Sequence, residues 1–133
     1  MGGQRFGIYI PRELLRELEN IMKAIGARSK SKVIQEALRT FIAEQKWKTA
    51  GKAVGIIGVV YNHDVDDIDA KLTDIQHQFI DIIVSTLHVH LDRERCLLAI
   101  VVKGDASKVR DLYNTILGLD GVISARPMLL AIE

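Results

Sequence analysis

The sequence has few of the features that mark secreted, disulfide-linked or membrane-spanning proteins. It contains one cysteine in 133 residues, which excludes an internal disulfide and fits a reducing compartment. No apolar run is long enough to span a bilayer, and the N-terminus has no basic segment followed by an apolar core of the signal-peptide type. We therefore expect a soluble, cytoplasmic protein.

A strong net charge is also lacking, since the formal charge is +1. The charges are nevertheless unevenly distributed along the chain. Residues 1–48 contain ten Lys and Arg against five Asp and Glu, whereas residues 49–133 contain eight against twelve. A basic segment joined to an acidic one suggests a module that binds a polyanion beside a second module of another kind.

The N-terminal segment predicts a strand followed by two helices. Residues 5–10 alternate between apolar and other side chains, and Pro11 suits the start of a helix. Gly26 is well placed to end that helix, and Ser29 or Ser31 can cap the next one. Because so small a module has difficulty burying a core, and a lone strand has no ladder partner, we expect two copies of the strand to pair in a dimer.

This segment resembles the ribbon–helix–helix family of DNA-binding repressors. The resemblance implies that outward side chains of the paired strands enter the major groove of double-stranded DNA, and that the second helix holds a phosphate at its N-terminus. It assigns DNA contact to Arg5, Gly7, Tyr9, Ser29, Lys30 and Ser31. Because Gly7 has no side chain to read a base, specificity would rest on fewer contacts or on DNA shape.

The C-terminal segment predicts the element order βαββαβ. The pattern places strands over 54–61, 84–91, 96–104 and 122–132, separated by helices over 66–82 and 106–117. This is the order of the ferredoxin-like split unit, whose helices cover one face of the sheet and leave the other bare. We expect an α+β protein with one domain over residues 1–48, a polar joint, and a second domain over residues 52–133.

Three of the four histidines and the only cysteine lie in one stretch, as His77, His88, His90 and Cys96. Imidazole and thiolate are the ligands that suit nickel, copper and zinc. Taken singly, an exposed histidine or a small buried cysteine has an ordinary explanation. Taken together, the four residues predict a metal site.

Strand periodicity divides the predicted ligands. We expect Leu87 and Val89 to lie under the helices, which puts His88 and His90 on the bare face of the sheet. His77 points away from the core stripe of its helix, so it would reach a site completed by another subunit.

The hairpin between the second and third strands constrains the cysteine. If Leu91 directly opposed Cys96, the thiol would lie on the face away from His90. We therefore predict a bulge or an odd-length loop near residues 91–96 that brings the thiol round to the histidines.

The spacing of these residues, followed by an apolar strand and Lys-Gly-Asp, resembles the nickel-responsive repressor (NikR) family. In that family a ribbon–helix–helix domain precedes a regulatory domain of the amino-acid-binding (ACT) type. The resemblance implies one Ni(II) per subunit, held in a square plane at the interface of a homotetramer built as a dimer of dimers. It implies that His88, His90 and Cys96 of one subunit act with His77 of another.

Other positions receive lesser roles. The resemblance implies that Tyr61 flanks the site and that His63 is an auxiliary ligand. Asp81 follows His77 by what we expect to be one helical turn, so it could orient that imidazole. Lys32 departs from the family, which often has an acid there beside a secondary cation site; its positive charge could contact a phosphate instead.

The sequence thus predicts a nickel-responsive transcriptional repressor in which metal favours operator binding and performs no catalysis. Ligation needs a thiolate and neutral imidazoles, so metal affinity should fall with acidification. Two alternatives stay open: an ACT-type regulator that senses a small-molecule effector, and the same architecture responding to copper or cobalt. A metal-dependent enzyme is disfavoured, because no residues of a substrate pocket are evident.

Overall fold

A computed structural model describes residues 2–132 of the chain. The described residues form two compact units that divide between Arg39 and Thr40, inside a helix. No helix within residues 2–132 is both long and apolar enough to cross a lipid bilayer.

The first unit contains the helix α1 (Arg12–Ile25) and the beginning of the helix α2 (Lys30–Thr49). The helix α1 follows Pro11 and ends at Gly26, whose φ of 75° lies in the left-handed region that favours glycine. The hydroxyl of Ser29 accepts a hydrogen bond from the backbone N–H of Lys32 at 3.2 Å, which caps α2. The predicted helix start, glycine stop and serine cap are confirmed.

The strand predicted over residues 5–10 is absent from the described chain, because residues 2–10 form neither helix nor strand. A strand exists only with a ladder partner, and one copy of this segment offers none. Phe6 and Ile8, the predicted inner face of that strand, are 75% and 56% exposed. Among residues 2–39 Met22 is the one buried side chain. The first unit therefore leaves most of its apolar surface uncovered.

The second unit has the predicted order βαββαβ, which is confirmed. Its elements after the end of α2 are β1 (Lys52–Asn62), α3 (Ile68–Gln78), β2 (Ile83–His90), β3 (Arg95–Asp105), α4 (Ala106–Leu117) and β4 (Val122–Ala131). The four strands form an antiparallel sheet in the order β2-β3-β1-β4. The strand β2, which carries two of the histidines, therefore lies at an edge of the sheet.

One face of this sheet is covered and the other is open. The covered face carries alternate residues of β1 and β3, which pack with α3 and α4 into one apolar core; they include Ile57, Val59, Tyr61, Cys96, Leu98, Ile100 and Val102. Trp47, near the end of α2, joins this core at 1% exposure. The open face has large exposed apolar side chains, among them Leu87, Met128 and Leu130.

Candidate metal centre

Two imidazoles and a thiol meet where β2 and β3 turn into each other. One ligand atom from each of His88, His90 and Cys96 lies within 4.8 Å of the other two. The Sγ atom of Cys96 is 3.5 Å from Nδ1 of His90, and the two imidazole rings have centroids 4.8 Å apart. Among the residues that the structure describes, this is the one group of three or more histidine, cysteine or acidic side chains that lie close enough together to hold a metal ion.

The register of the hairpin brings the thiol to the histidines. His90 is directly opposite Cys96, and the backbone N–H of Leu91 donates to the carbonyl of Arg95 at 2.9 Å. Directly opposed residues project from the same face of a sheet. Five residues, an odd number, separate His90 from Cys96. The predicted odd-length connection is confirmed.

The carboxylate of Asp92 organises this connection. Its Oδ1 atom accepts hydrogen bonds from the backbone N–H groups of Glu94 at 3.0 Å and of Arg95 at 2.7 Å. Its Oδ2 atom accepts from Nε of Arg95 at 2.8 Å. Hydrogen bonds from the Arg95 side chain, then from the two backbone groups, lower the pKa of Asp92 from 3.8 to about 2.

Replacing Asp92 with alanine is expected to loosen the hairpin, because two backbone N–H groups lose their acceptor. Asp92→Asn keeps an acceptor oxygen but loses the ion pair, so it should retain most of the order. Amide hydrogen exchange at Glu94, Arg95 and Cys96 measures the effect. Because the pKa of Asp92 is lower in the folded protein, its ionised carboxylate stabilises the hairpin above about pH 4. This contribution is lost as the pH falls through about 2. Equal exchange rates in the parent protein and Asp92→Ala would contradict this role.

The histidines lie on the covered face, so the prediction that they lie on the bare face is wrong. His88 is opposite Leu98 and His90 is opposite Cys96, and both partners are buried in the core with α3 and α4. Leu87 and Val89, which we expected under the helices, are instead 64% and 37% exposed on the open face. A period of two separates the faces of a strand but does not say which one the helices cover.

A hydrogen-bonded chain connects the cluster to α3. The hydroxyl of Tyr61, a residue opposite Cys96 on β1, donates to Oδ1 of Asp69 at 3.1 Å. The same hydroxyl lies 3.1 Å from Nε2 of His88. Burial, and then the hydrogen bond to Asp69, raise the pKa of Tyr61 above its ordinary value. The tyrosine therefore keeps its proton at neutral pH.

A cleft of about 200 Å³ lies beside these hydrogen bonds, between α3 and the sheet. Its lining includes Tyr61, Asp69, Thr73, Gln76 and His88. Asp69 is not among the residues predicted for the site from the sequence. A signal was present, since Asp69, Thr73 and Gln76 form a polar stripe at i, i+4 and i+7 beside the apolar stripe of the same helix.

His77 and Asp81 lie apart from the cluster of three ligands. His77 is exposed near the end of α3 and is outside that cluster. The helix ends at Gln78, so Asp81 does not follow His77 by one helical turn, and that prediction is wrong. The Asp81 carboxylate instead pairs with Lys108, whose hydrogen bond lowers the pKa of Asp81.

His63 is also outside the cluster, although it lies beside the hairpin. Its backbone N–H donates to the carbonyl of Glu94 at 2.8 Å, and its Nδ1 atom is 3.4 Å from a carboxylate oxygen of Asp64. The structure thus places Tyr61 beside the cluster and His63 outside it.

The predicted DNA-contacting residues lie in the first unit. Arg5, Gly7 and Tyr9 belong to the exposed segment before α1, and Tyr9 is 91% exposed. At the start of α2, the side chain of Lys30 pairs with Glu19 at 3.5 Å. The hydroxyl groups of the two serines there bond locally: Ser29 caps α2, and Ser31 accepts from Gln35 at 3.2 Å.

Two family models match the chain. Residues 54–130 match the NikR C-terminal nickel-binding domain, and residues 4–45 match the ribbon–helix–helix protein, copG family. The chain is similar to a protein of Methanocaldococcus jannaschii named as a nickel-responsive regulator, with 43% identity over 89% of this chain and 85% of the relative. A protein of the same name from Pyrococcus abyssi is 42% identical over 89% of this chain and 86% of the relative.

A solved structure shares the fold. The uncharacterized protein TM1266 from Thermotoga maritima superposes with a TM-score of 0.51 and 17% identity, covering 62% of this chain and 99% of that one. At this identity the similarity is evidence for the fold alone.

Proposed function

The chain belongs to the nickel-responsive regulator family, and from this we propose that it is a transcriptional repressor whose binding to an operator in double-stranded DNA depends on Ni(II). The observation that carries the proposal is the meeting of His88, His90 and Cys96 within 4.8 Å. The metal acts as a ligand of the regulator and performs no catalysis. We also propose that it acts in the cytoplasm, because the archaea that carry its relatives hold their DNA there.

The chemistry of the three donors fits the proposed ion. Two imidazoles and one thiolate suit a borderline-to-soft divalent metal and do not suit Mg²⁺ or Ca²⁺. The thiol of Cys96 is 1% exposed, whereas both histidines are exposed, so the cluster is open on one side. This opening supports a fourth donor from outside the chain. We assign that position to His77 of another subunit, which gives a square-planar site with one Ni(II) per subunit.

The exposed apolar surfaces support an assembly of several chains. Phe6 and Ile8 are exposed in a segment that lacks a strand partner, which supports a two-chain antiparallel ribbon. Leu87 and Met128 are exposed on the open face of the sheet, which supports a second interface through residues 52–133. Two distinct self-associating surfaces are what a homotetramer built as a dimer of dimers requires.

The two parts of the chain would have separate functions. Residues 1–48 would bind DNA, with Arg5 and Tyr9 reading bases beside Gly7. The start of α2, with Ser29, Lys30 and Ser31, would hold a phosphate. Residues 52–133 would bind metal and associate the dimers. A metal bridging two subunits would favour the arrangement of DNA-binding pairs that fits the operator, so the coupling is a shift between populations.

Selection of DNA from a random-sequence pool tests this function. The full-length protein is expected to enrich one sequence with two half-sites in the presence of Ni(II), and no sequence after metal is removed. The variant His88→Ala should enrich no sequence, whether or not Ni(II) is present. Arg5→Ala should weaken enrichment while leaving Ni(II) binding unchanged, which separates the two functions.

Other outcomes identify the alternatives. Enrichment that is equal with and without Ni(II) would exclude the proposed function. Enrichment with Cu(II) or Co(II) alone would assign the same architecture to another metal. If His88→Ala kept a normal DNA response, the regulator would sense a small-molecule effector through another site.

A further inference from the structure

The hydroxyl of Tyr61 is bonded on two sides. It donates to Oδ1 of Asp69 at 3.1 Å and lies 3.1 Å from Nε2 of His88. Tyr61 is 3% exposed, so its ring is held in the core, and its plane is inclined by 20° to the imidazole of His88. The position of the hydroxyl is therefore set by the fold and not by the metal.

The count of protons decides the direction of each bond. A tyrosine hydroxyl has one hydrogen, and a carboxylate can only accept, so the hydrogen points to Asp69. The charged carboxylate is a stronger acceptor than a neutral imidazole nitrogen. Towards His88 the Tyr61 oxygen can then only accept, which requires the hydrogen of the imidazole to be on Nε2.

We infer that Asp69, acting through Tyr61, is a positioning residue that holds His88 as its Nε2–H tautomer and leaves Nδ1 free to bind the metal. The inference rests on the proposed metal site. A neutral imidazole has a lone pair on one nitrogen only, and the hydrogen bond at the other nitrogen selects which. Without Asp69 the Tyr61 hydrogen is free to turn towards Nε2 of His88, which favours the opposite tautomer.

Long-range ¹H–¹⁵N correlation spectra of the full-length, metal-free protein test the tautomer directly. At about pH 8 an ordinary imidazole is neutral, and the two ring nitrogens differ in shift according to which carries hydrogen. The signals of His88 are assigned by their loss in His88→Gln. We expect the Nε2–H form in the parent protein and a shift towards the Nδ1–H form in Asp69→Ala.

Two variants separate this role from a general effect of charge or packing. Asp69→Asn keeps an oxygen that accepts from Tyr61, so it should restore the Nε2–H form. Asp74→Ala removes the same charge from an exposed position of the same helix and should leave the tautomer of His88 unchanged. An Nδ1–H form in the parent protein, or an unchanged tautomer in Asp69→Ala, would overturn the inference.

Ni(II) titration supplies the second readout. Asp69→Ala and Tyr61→Phe should each lower the affinity for Ni(II) by about 10- to 100-fold, the range for losing a partner of a metal ligand. A changed tautomer with an unchanged affinity would show that Asp69 does not position a ligand. Failure of the parent protein to bind Ni(II) would instead reject the proposed function, while the tautomer spectra of the metal-free protein would stay interpretable.

Discussion

Replacing Cys96 with alanine is expected to lower the affinity for Ni(II) by about 100-fold or more. A structural metal site with four donors is worth about 10–16 kcal/mol in zinc peptides, so one donor accounts for about 3 kcal/mol. The thiolate is also the one anionic donor of the cluster. Titration of the metal-free protein followed by visible absorption measures the effect, since a thiolate-to-metal band should accompany binding in the parent protein and be absent from Cys96→Ala.

A buried position on the same strand provides the control. Val102 projects from the same face of β3 as Cys96 and is fully buried at the other end of the strand. Val102→Ala removes core volume without removing a donor, so it should lower stability and keep the thiolate band. If the band survived in Cys96→Ala, or if both variants lost metal equally, Cys96 would not be a ligand.

Replacing Gly55 with alanine is expected to destabilise the second unit by about 3 kcal/mol or more. A Cβ atom at this position would collide with the backbone carbonyl oxygen of Met128 and lie 2.9 Å from the Cα of Leu129. Overpacking ordinarily costs about 1–3 kcal/mol because side chains can yield. Here the obstacle is the backbone of β4, which is fixed in the ladder with β1.

The same substitution three residues along the strand gives a matched comparison. A Cβ atom at Gly58 would meet nothing closer than the carbonyl oxygen of Arg126 at 3.9 Å, an ordinary contact. Gly58→Ala should therefore change the free energy of unfolding by less than about 1 kcal/mol. Urea unfolding at one protein concentration compares the two variants, because association contributes to apparent stability. Equal midpoints would refute the steric argument at Gly55.

Local signals in the sequence are enough to predict most of the fold. Pro11 and Gly26 mark the ends of α1 through backbone geometry that proline and glycine favour. The order of strands and helices in residues 52–132 follows from periodicities of two and 3.6 residues. These features depend on near neighbours along the chain, which is why they can be predicted without knowing the tertiary structure.

The side of the sheet on which the ligands lie could not be predicted, because it depends on packing between distant segments. Apolar side chains are usually buried, which predicts that Leu87 and Val89 point inward, yet they occupy the open face. The sequence of the neighbouring strand β3 does not show which face is covered, because it is apolar on both faces. An apolar open face is expected in chains that associate, and such an association leaves no mark in the pattern of one strand.

The metal ligands can be predicted from the sequence more readily than the residues that contact them. Imidazole and thiol groups are rare enough that their clustering between residues 77 and 96 indicated metal chemistry. Asp69 is one of many acidic residues, and its bond to Tyr61 arises only when the start of α3 packs beside β1. For Tyr61 the only indication in the sequence is the resemblance to the family.

The length of the connection between His90 and Cys96 has a consequence for insertions and deletions. Hairpin turns of two to five residues can all join directly opposed residues, so an inserted or deleted residue that the turn absorbs leaves His90 opposite Cys96. A change that instead moved the pairing of β2 with β3 by one residue would put the imidazole and the thiol on opposite faces of the sheet. The site should therefore tolerate a change in the length of the turn better than a shift in the register of the two strands.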